Sequence, residues 1–157
     1  MPLTFRPLLV LVSVLGLGGC ALSTPFTRGV DVADTAEVVV AVTYAKYRPD
    51  EADEFWRLTK AVQATLPQQS GLVGYRLRRQ IFGNEAWTMT VWTDAHALEA
   101  FVASPTHRVA MRATGRLLED AKFVRLTVRG SEMPLAWDKA LVALAESGNG
   151  YTRPPSP

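Results

Sequence analysis

The chain has 157 residues, room for one domain and hardly for two. A composition of 48% hydrophobic and 20% charged residues excludes wholesale disorder. Its 17 Lys plus Arg against 15 Asp plus Glu leave no electrostatic footprint for nucleic acid.

The first segment, "MPLTFRPLLVLVSVLGLGGCALS", reads as an export signal and not as part of the fold. Arg6 precedes an apolar run from Leu8 to Leu17; Gly18 and Gly19 follow, then Cys20. That order is the layout of a secretory signal, and the run is shorter than the ~20 apolar residues of a membrane-spanning helix. Leu17-Gly18-Gly19-Cys20 resembles a bacterial lipoprotein processing box. The resemblance implies that residues 1–19 are removed and that Cys20 is acylated, for instance with palmitate. Cys20 is the only cysteine, so no disulfide braces the domain, and lipidation accounts for a thiol that has no partner within the chain. The alternative is an ordinary cleaved signal with an incidental cysteine. Buried acyl methylenes, worth about 0.8 kcal/mol each, would hold the mature chain on a membrane surface. By analogy with such lipoproteins, Ala21 favours the outer membrane, facing the periplasm, where the host has two membranes.

Residues 20–36 contain Pro25 and Gly29 and show no sustained period, so they read as a tether. "EVVVAVTYAK" is β-branched and apolar on both faces near its start, the mark of a central strand. In the next stretch Phe55, Leu58, Val62 and Leu66 recur at helical spacing. Asp50, Glu51, Asp53 and Glu54 crowd the start of that helix, where negative charge suits the dipole, and Pro67 stops it. Helix-start electrostatics account for these carboxylates without catalysis. "LVGYRLRRQI" alternates as a half-buried strand, "FGNE" is a hairpin turn, and "AWTMTVW" returns. On the returning strand Trp87, Met89 and Val91 share one face, and Thr88, Thr90 and Trp92 the other.

Asp94 is placed to cap a short helix, "AHALEAFVAS". Pro105 opens a second, "THRVAMRATGRLLED", on which Arg108, Arg112 and Arg116 line one face. Those arginines read as a solvated surface or as a patch that steers an anion. "AKFVRLTVRG" is the last strand, and "PLAWDKALVALAES" a C-terminal helix that ends at Gly148-Asn149-Gly150. The domain thus covers residues 37–146, with a flexible tail over 147–157. The order β-α-β-β-α-β plus a C-terminal helix predicts an α+β, ferredoxin-like fold. Four antiparallel strands with helices on one face leave the other face bare. An apolar bare face wants a partner, and a homodimer joined sheet to sheet supplies one.

"EAWTMTVWTDAHALEAFVASPTHRVAM" resembles the second half of antibiotic biosynthesis monooxygenase-like domains, members of the dimeric α/β barrel superfamily. The residues that carry the likeness are Trp92, Asp94, Leu98, Phe101 and the pair His107-Arg108. "RGSEMPLAWDKALVAL" is similar to the C-terminal extension of uncharacterised domains near spheroidene monooxygenase. The resemblance implies a cofactor-independent oxygenase acting on a small aromatic or polyene compound. Haem cleavage fits less well: those relatives use an Asn-Trp-His set, and the first strand here has no asparagine. In the oxygenase reading His107 is the catalytic base, Trp92, Tyr75 and Trp87 bind the substrate, and Arg112 holds its anion. Strand parity prevents all three aromatic residues from sharing one pocket. Structurally, Trp92 can equally be a core anchor and His107 a helix-start residue. No metal or nucleotide cofactor is expected, since there is no His-x-x-x-His, no Cys-x-x-Cys and no G-x-G-x-x-G after a strand, and no nucleophile elbow marks a hydrolase. The other class of function is a non-catalytic ligand-binding or assembly module of the cell envelope.

Overall fold

The computed structural model describes residues 20–153. The export-signal expectation for residues 1–19 lies outside the described residues, as do positions 154–157. Seven strands form one sheet: β1 (Ala21–Ser23), β2 (Thr27–Arg28), β3 (Glu37–Tyr47), β4 (Leu72–Gln80), β5 (Glu85–Trp92), β6 (Leu118–Arg129) and β7 (Asn149–Thr152). Four helices accompany them: α1 (Ala52–Thr65), α2 (Ala95–Val102), α3 (Pro105–Leu117) and α4 (Trp137–Ser147).

The central four strands run in the order β4-β5-β3-β6, all antiparallel. This is the ferredoxin-like α+β arrangement. The double-sided apolar pattern of β3 puts it in the middle, paired with Trp92 through Val39 and with Val128 through Val38. Asp94 caps α2 by accepting from the Ala97 N–H at 2.9 Å, and Ser104 caps α3 ahead of Pro105. Both caps satisfy amides that the helix itself leaves without acceptors.

In place of a free tether, β1 and β2 pair with β4. Between them Phe26 packs over Gly74, where a Cβ would stand 2.3 Å from the ring. In place of a loose tail, β7 pairs with β6 from Asp120↔Thr152 to Phe123↔Asn149. The third helix also ends earlier than its charge pattern suggests. Leu118–Asp120 are strand, because Leu118 is buried opposite Tyr47 and Asp120 pairs with Lys46. The C-terminal helix begins at Trp137, not at Pro134.

The expectation of a bare sheet face does not hold. Val38, Val40, Val42, Met89, Val91 and Val124 point to that face and are buried against Leu135, Trp137, Ala140 and Leu144. Phe26 and Val32 complete the cover. The chain's own α4 and N-terminal strap thus supply the apolar partner, so the physical reason for sheet-to-sheet pairing with a second copy is gone. The opposite face carries α1, α2 and α3 in two further clusters, one around Trp92 and Phe101 and one around Tyr47, Leu58 and Leu117.

Candidate functional site

Between the sheet and α1–α3 lies a cavity of about 460 Å³, within the size range of small-molecule sites. Its walls are mostly apolar. Phe55, Trp56, Thr59 and Val62 approach from α1, and His107, Ala110, Met111 and Thr114 from α3. The sheet contributes Ala41, Tyr75, Leu77, Thr88 and Thr90, all on the helix-bearing parity of their strands. The small side chains of Ala41, Thr88 and Thr90 explain the void. Alanine and threonine at the centre of the sheet do not reach the helices that the larger rim residues hold away.

His107 is half-buried in the wall of this cavity, in the first turn of α3. Its main-chain amide donates to Ser104 Oγ at 3.4 Å, which fixes the start of the helix. Its ring meets Phe101 edge-on, centroids 4.8 Å apart. Burial pushes the imidazole pKa below the ordinary histidine value, with the Val102 carbonyl pulling the other way. Nδ1 is buried with no hydrogen-bond partner of good geometry among the described residues. A neutral imidazole can accept a proton from a guest through a ring nitrogen that the guest reaches.

Tyr75 lines the cavity. Trp92 does not. It is fully buried behind Phe101, and its indole N–H donates to Thr90 Oγ1 at 2.9 Å. Trp87 also fails to meet the guest space with its ring. Strand parity sends the indole to the α4 face, where Tyr44 packs on it at 5.7 Å and the Arg78 guanidinium lies over it at 5.6 Å. It counts as cavity wall only as other residues of that parity do, through the strand itself. Arg112 is exposed and does not line the cavity. On α3 the cavity takes positions 107, 110, 111, 114 and 117, and Arg112 falls off that stripe. Its neighbour on the arginine face, Arg116, pairs with Glu51 and Glu54 and ties α3 to α1.

Arg76, Arg78, Lys122 and Arg125 border the cavity; of these Arg125 of β6 has the helix-bearing parity, pairing with Ala41, and lies 3.6 Å from Glu99 of α2, about half exposed. It alternates with apolar residues along β6, and that period marks a solvent face just as well as a site. Phe55 and Val62 belong to the helical stripe visible in the sequence, yet the stripe does not reveal that they border open space. Tyr151 of β7 closes part of the wall and had no signal, because its strand is only four residues long. Among the described residues no three His, Cys, Asp or Glu side chains converge as a metal site.

Residues 38–113 match the family model for antibiotic biosynthesis monooxygenase. Over these residues the chain carries an antibiotic biosynthesis monooxygenase-like domain. Solved structures agree on the fold. Rv0793 of Mycobacterium tuberculosis is 21% identical, with 57% of this chain and 92% of that one covered and a TM-score of 0.53. PA3566 of Pseudomonas aeruginosa is 19% identical over 62% and 98%, also with a TM-score of 0.53. A protein of Lactobacillus acidophilus NCFM named as a candidate monooxygenase is 16% identical, TM-score 0.53; the match takes in 67% of this chain but spans only 50% of that one. A search of curated proteins gives no significant match. The matched residues hold every helix that bounds the cavity, with α3 running on four residues further; β1, β2, β6, α4 and β7 lie outside them.

Proposed function

We propose that this chain is an envelope lipoprotein whose monooxygenase-family domain oxidises a small, electron-rich aromatic or polyene compound with oxygen and without a bound cofactor. The observation that carries this reading is the cavity of about 460 Å³ with the half-buried imidazole of His107 in its wall. An apolar void with few polar groups selects a flat, greasy guest and aligns it by its rare hydrogen bonds.

Anthrone-like compounds show how the chemistry balances. His107 takes a proton from the activated CH2 of the guest and becomes imidazolium. The resulting carbanion transfers an electron to oxygen and combines with it, forming one C–O bond. The peroxide so formed takes back the proton from His107. Loss of water then breaks the O–O bond and leaves a carbonyl, so that CH2 plus O2 gives C=O plus H2O. Desolvation helps the last proton transfer, because a buried imidazolium is less stable than one in water. Arg125 at the wall favours the anionic stage electrostatically, and Tyr75, Phe55 and Trp56 offer aromatic faces to the guest.

The anchoring part of the reading rests on the order Arg6, apolar run, Gly18-Gly19-Cys20. Replacement of Cys20 by serine should release the chain from membranes. The enzymatic part is tested by oxygen uptake with anthrone and quinol compounds, comparing wild type with His107→Ala. Uptake that His107→Ala abolishes supports it. Tight binding of such compounds with no uptake by either protein overturns it in favour of a ligand-binding module.

A further inference from the structure

Cys20 is not separated from the folded body by slack chain. Its carbonyl accepts from the Ile81 amide at 2.9 Å, and the next residue, Ala21, pairs with Gln80. The β4–β5 hairpin therefore ends beside the cysteine. At the tip of that hairpin Phe82 is 89% exposed and Ile81 51% exposed. Leu22, on the adjoining β1, is 56% exposed.

The exposure is built into the turn. Below the tip, Asn84 Nδ2 donates to the Tyr47 carbonyl at 2.6 Å and the Tyr47 amide donates to the Asn84 carbonyl at 2.9 Å. Tyr47 Oη adds a bond to the Gly83 carbonyl at 3.3 Å. Gly83 sits at φ +152°, a value that favours glycine. Turn chemistry asks for Gly83 and Asn84 but gives no reason for isoleucine and phenylalanine at the apex. Single exposed apolar residues are ordinary; here one on β1 and two in the turn after β4 lie around the sole cysteine.

We propose that Ile81, Phe82 and Leu22 form a wedge that enters the lipid interface beside an acylated Cys20. The proposal rests on the lipoprotein reading above. A lipid surface is the occupant that the position itself selects, because the apolar run Leu8–Leu17 leads to Cys20 in the sequence and acylation would put hydrocarbon at the same point. Neighbouring strands lie about 4.8 Å apart, and interfacial side chains bury roughly 5–10 Å into the headgroup and acyl boundary. An acylated Cys20 at the interface thus leaves Ile81 and Phe82 no room to stay clear of it. The domain would then stand with this end of the sheet on the bilayer and the opposite end, at Ser131 after β6, pointing away.

The test uses the full-length chain in isolated, sheared membranes and a membrane-impermeant maleimide. Phe82→Cys should resist labelling in membranes and label once detergent dissolves them, while Ser131→Cys labels in both states. The unsubstituted chain is the control for Cys20, whose acylated sulfur should not label in either. Retention of the chain on membranes with Phe82→Cys labelled as readily as Ser131→Cys overturns the wedge and leaves the anchor standing. Release of the unsubstituted chain into the soluble fraction, with Cys20 labelled, overturns both.

Discussion

Trp92 stacks on Phe101, ring centroids 5.0 Å apart and planes 28° apart. Phe101 in turn carries His107 on its edge. The tryptophan therefore acts on the cavity only through the phenylalanine, as the floor that sets the height of the imidazole. Trp92→Phe loses the bond to Thr90 and leaves a void, which should cost roughly 1–3 kcal/mol in urea unfolding. Binding of apolar guests should change far less than stability. A loss of guest affinity larger than the loss of stability would put Trp92 in contact with the guest and refute this order of layers.

The void itself can be checked by filling it. Ala110 lies half-buried on the cavity stripe of α3. Ala110→Phe places a ring in space that alanine leaves open, so the melting temperature should stay level or rise while binding of an apolar fluorescent dye is lost. A large drop in melting temperature would mean that the space is already full.

Protonation of His107 gives a pH dependence of defined sign. An unperturbed histidine titrates near 6.5, and burial holds the folded-state value lower. Between the two values the unfolded chain binds a proton that the folded chain refuses, so stability falls as pH is lowered from about 7 through that window. Above the window the contribution is constant. His107→Phe should remove this acid limb from the pH profile of the melting temperature. Oxygen uptake should show a limb in the same direction, since the base is lost on protonation. An unchanged profile in the variant would assign the limb to other groups.

The legible features were those that a side-chain period encodes. The parity of Thr88, Thr90 and Trp92 against Trp87, Met89 and Val91 is visible in the sequence and holds in the sheet. The cap at Asp94 and the start at Pro105 follow from the donor needs of a helix end. The short strands β1, β2 and β7 were not visible because main-chain bonds hold them, and main-chain bonds leave no pattern. Val73 departs from the parity of Tyr75 and Leu77 through an irregularity between Leu72 and Gly74. The cavity was hidden for a different reason: apolar spacing tells which residues face inward, not whether they meet. Arg125 was hidden because an arginine alternating along a strand has the same spelling at a pocket wall and in water.

The sequence marks "PLAWDKALVALAES" as a helix but does not say on what it docks. It docks on the very face that a second copy would have needed. Ala140 of α4 is completely buried there against the sheet, with Trp137 and Leu144 beside it. An aspartate at 140 would bury an unpaired charge, so Ala140→Asp should lift α4 from the sheet or unfold the chain. Lifting exposes Val38, Val42 and Val124. The expected result is a loss of several kcal/mol in stability, strong binding of an apolar dye and self-association in sedimentation, none of which the unsubstituted chain should show through this face. Trp137→Ala, which truncates the same cover without adding charge, should cost about 3–5 kcal/mol and push in the same direction. If Ala140→Asp instead folded normally and stayed dispersed, the sheet face would not depend on α4 for its cover, and pairing with a second copy would regain its physical motive.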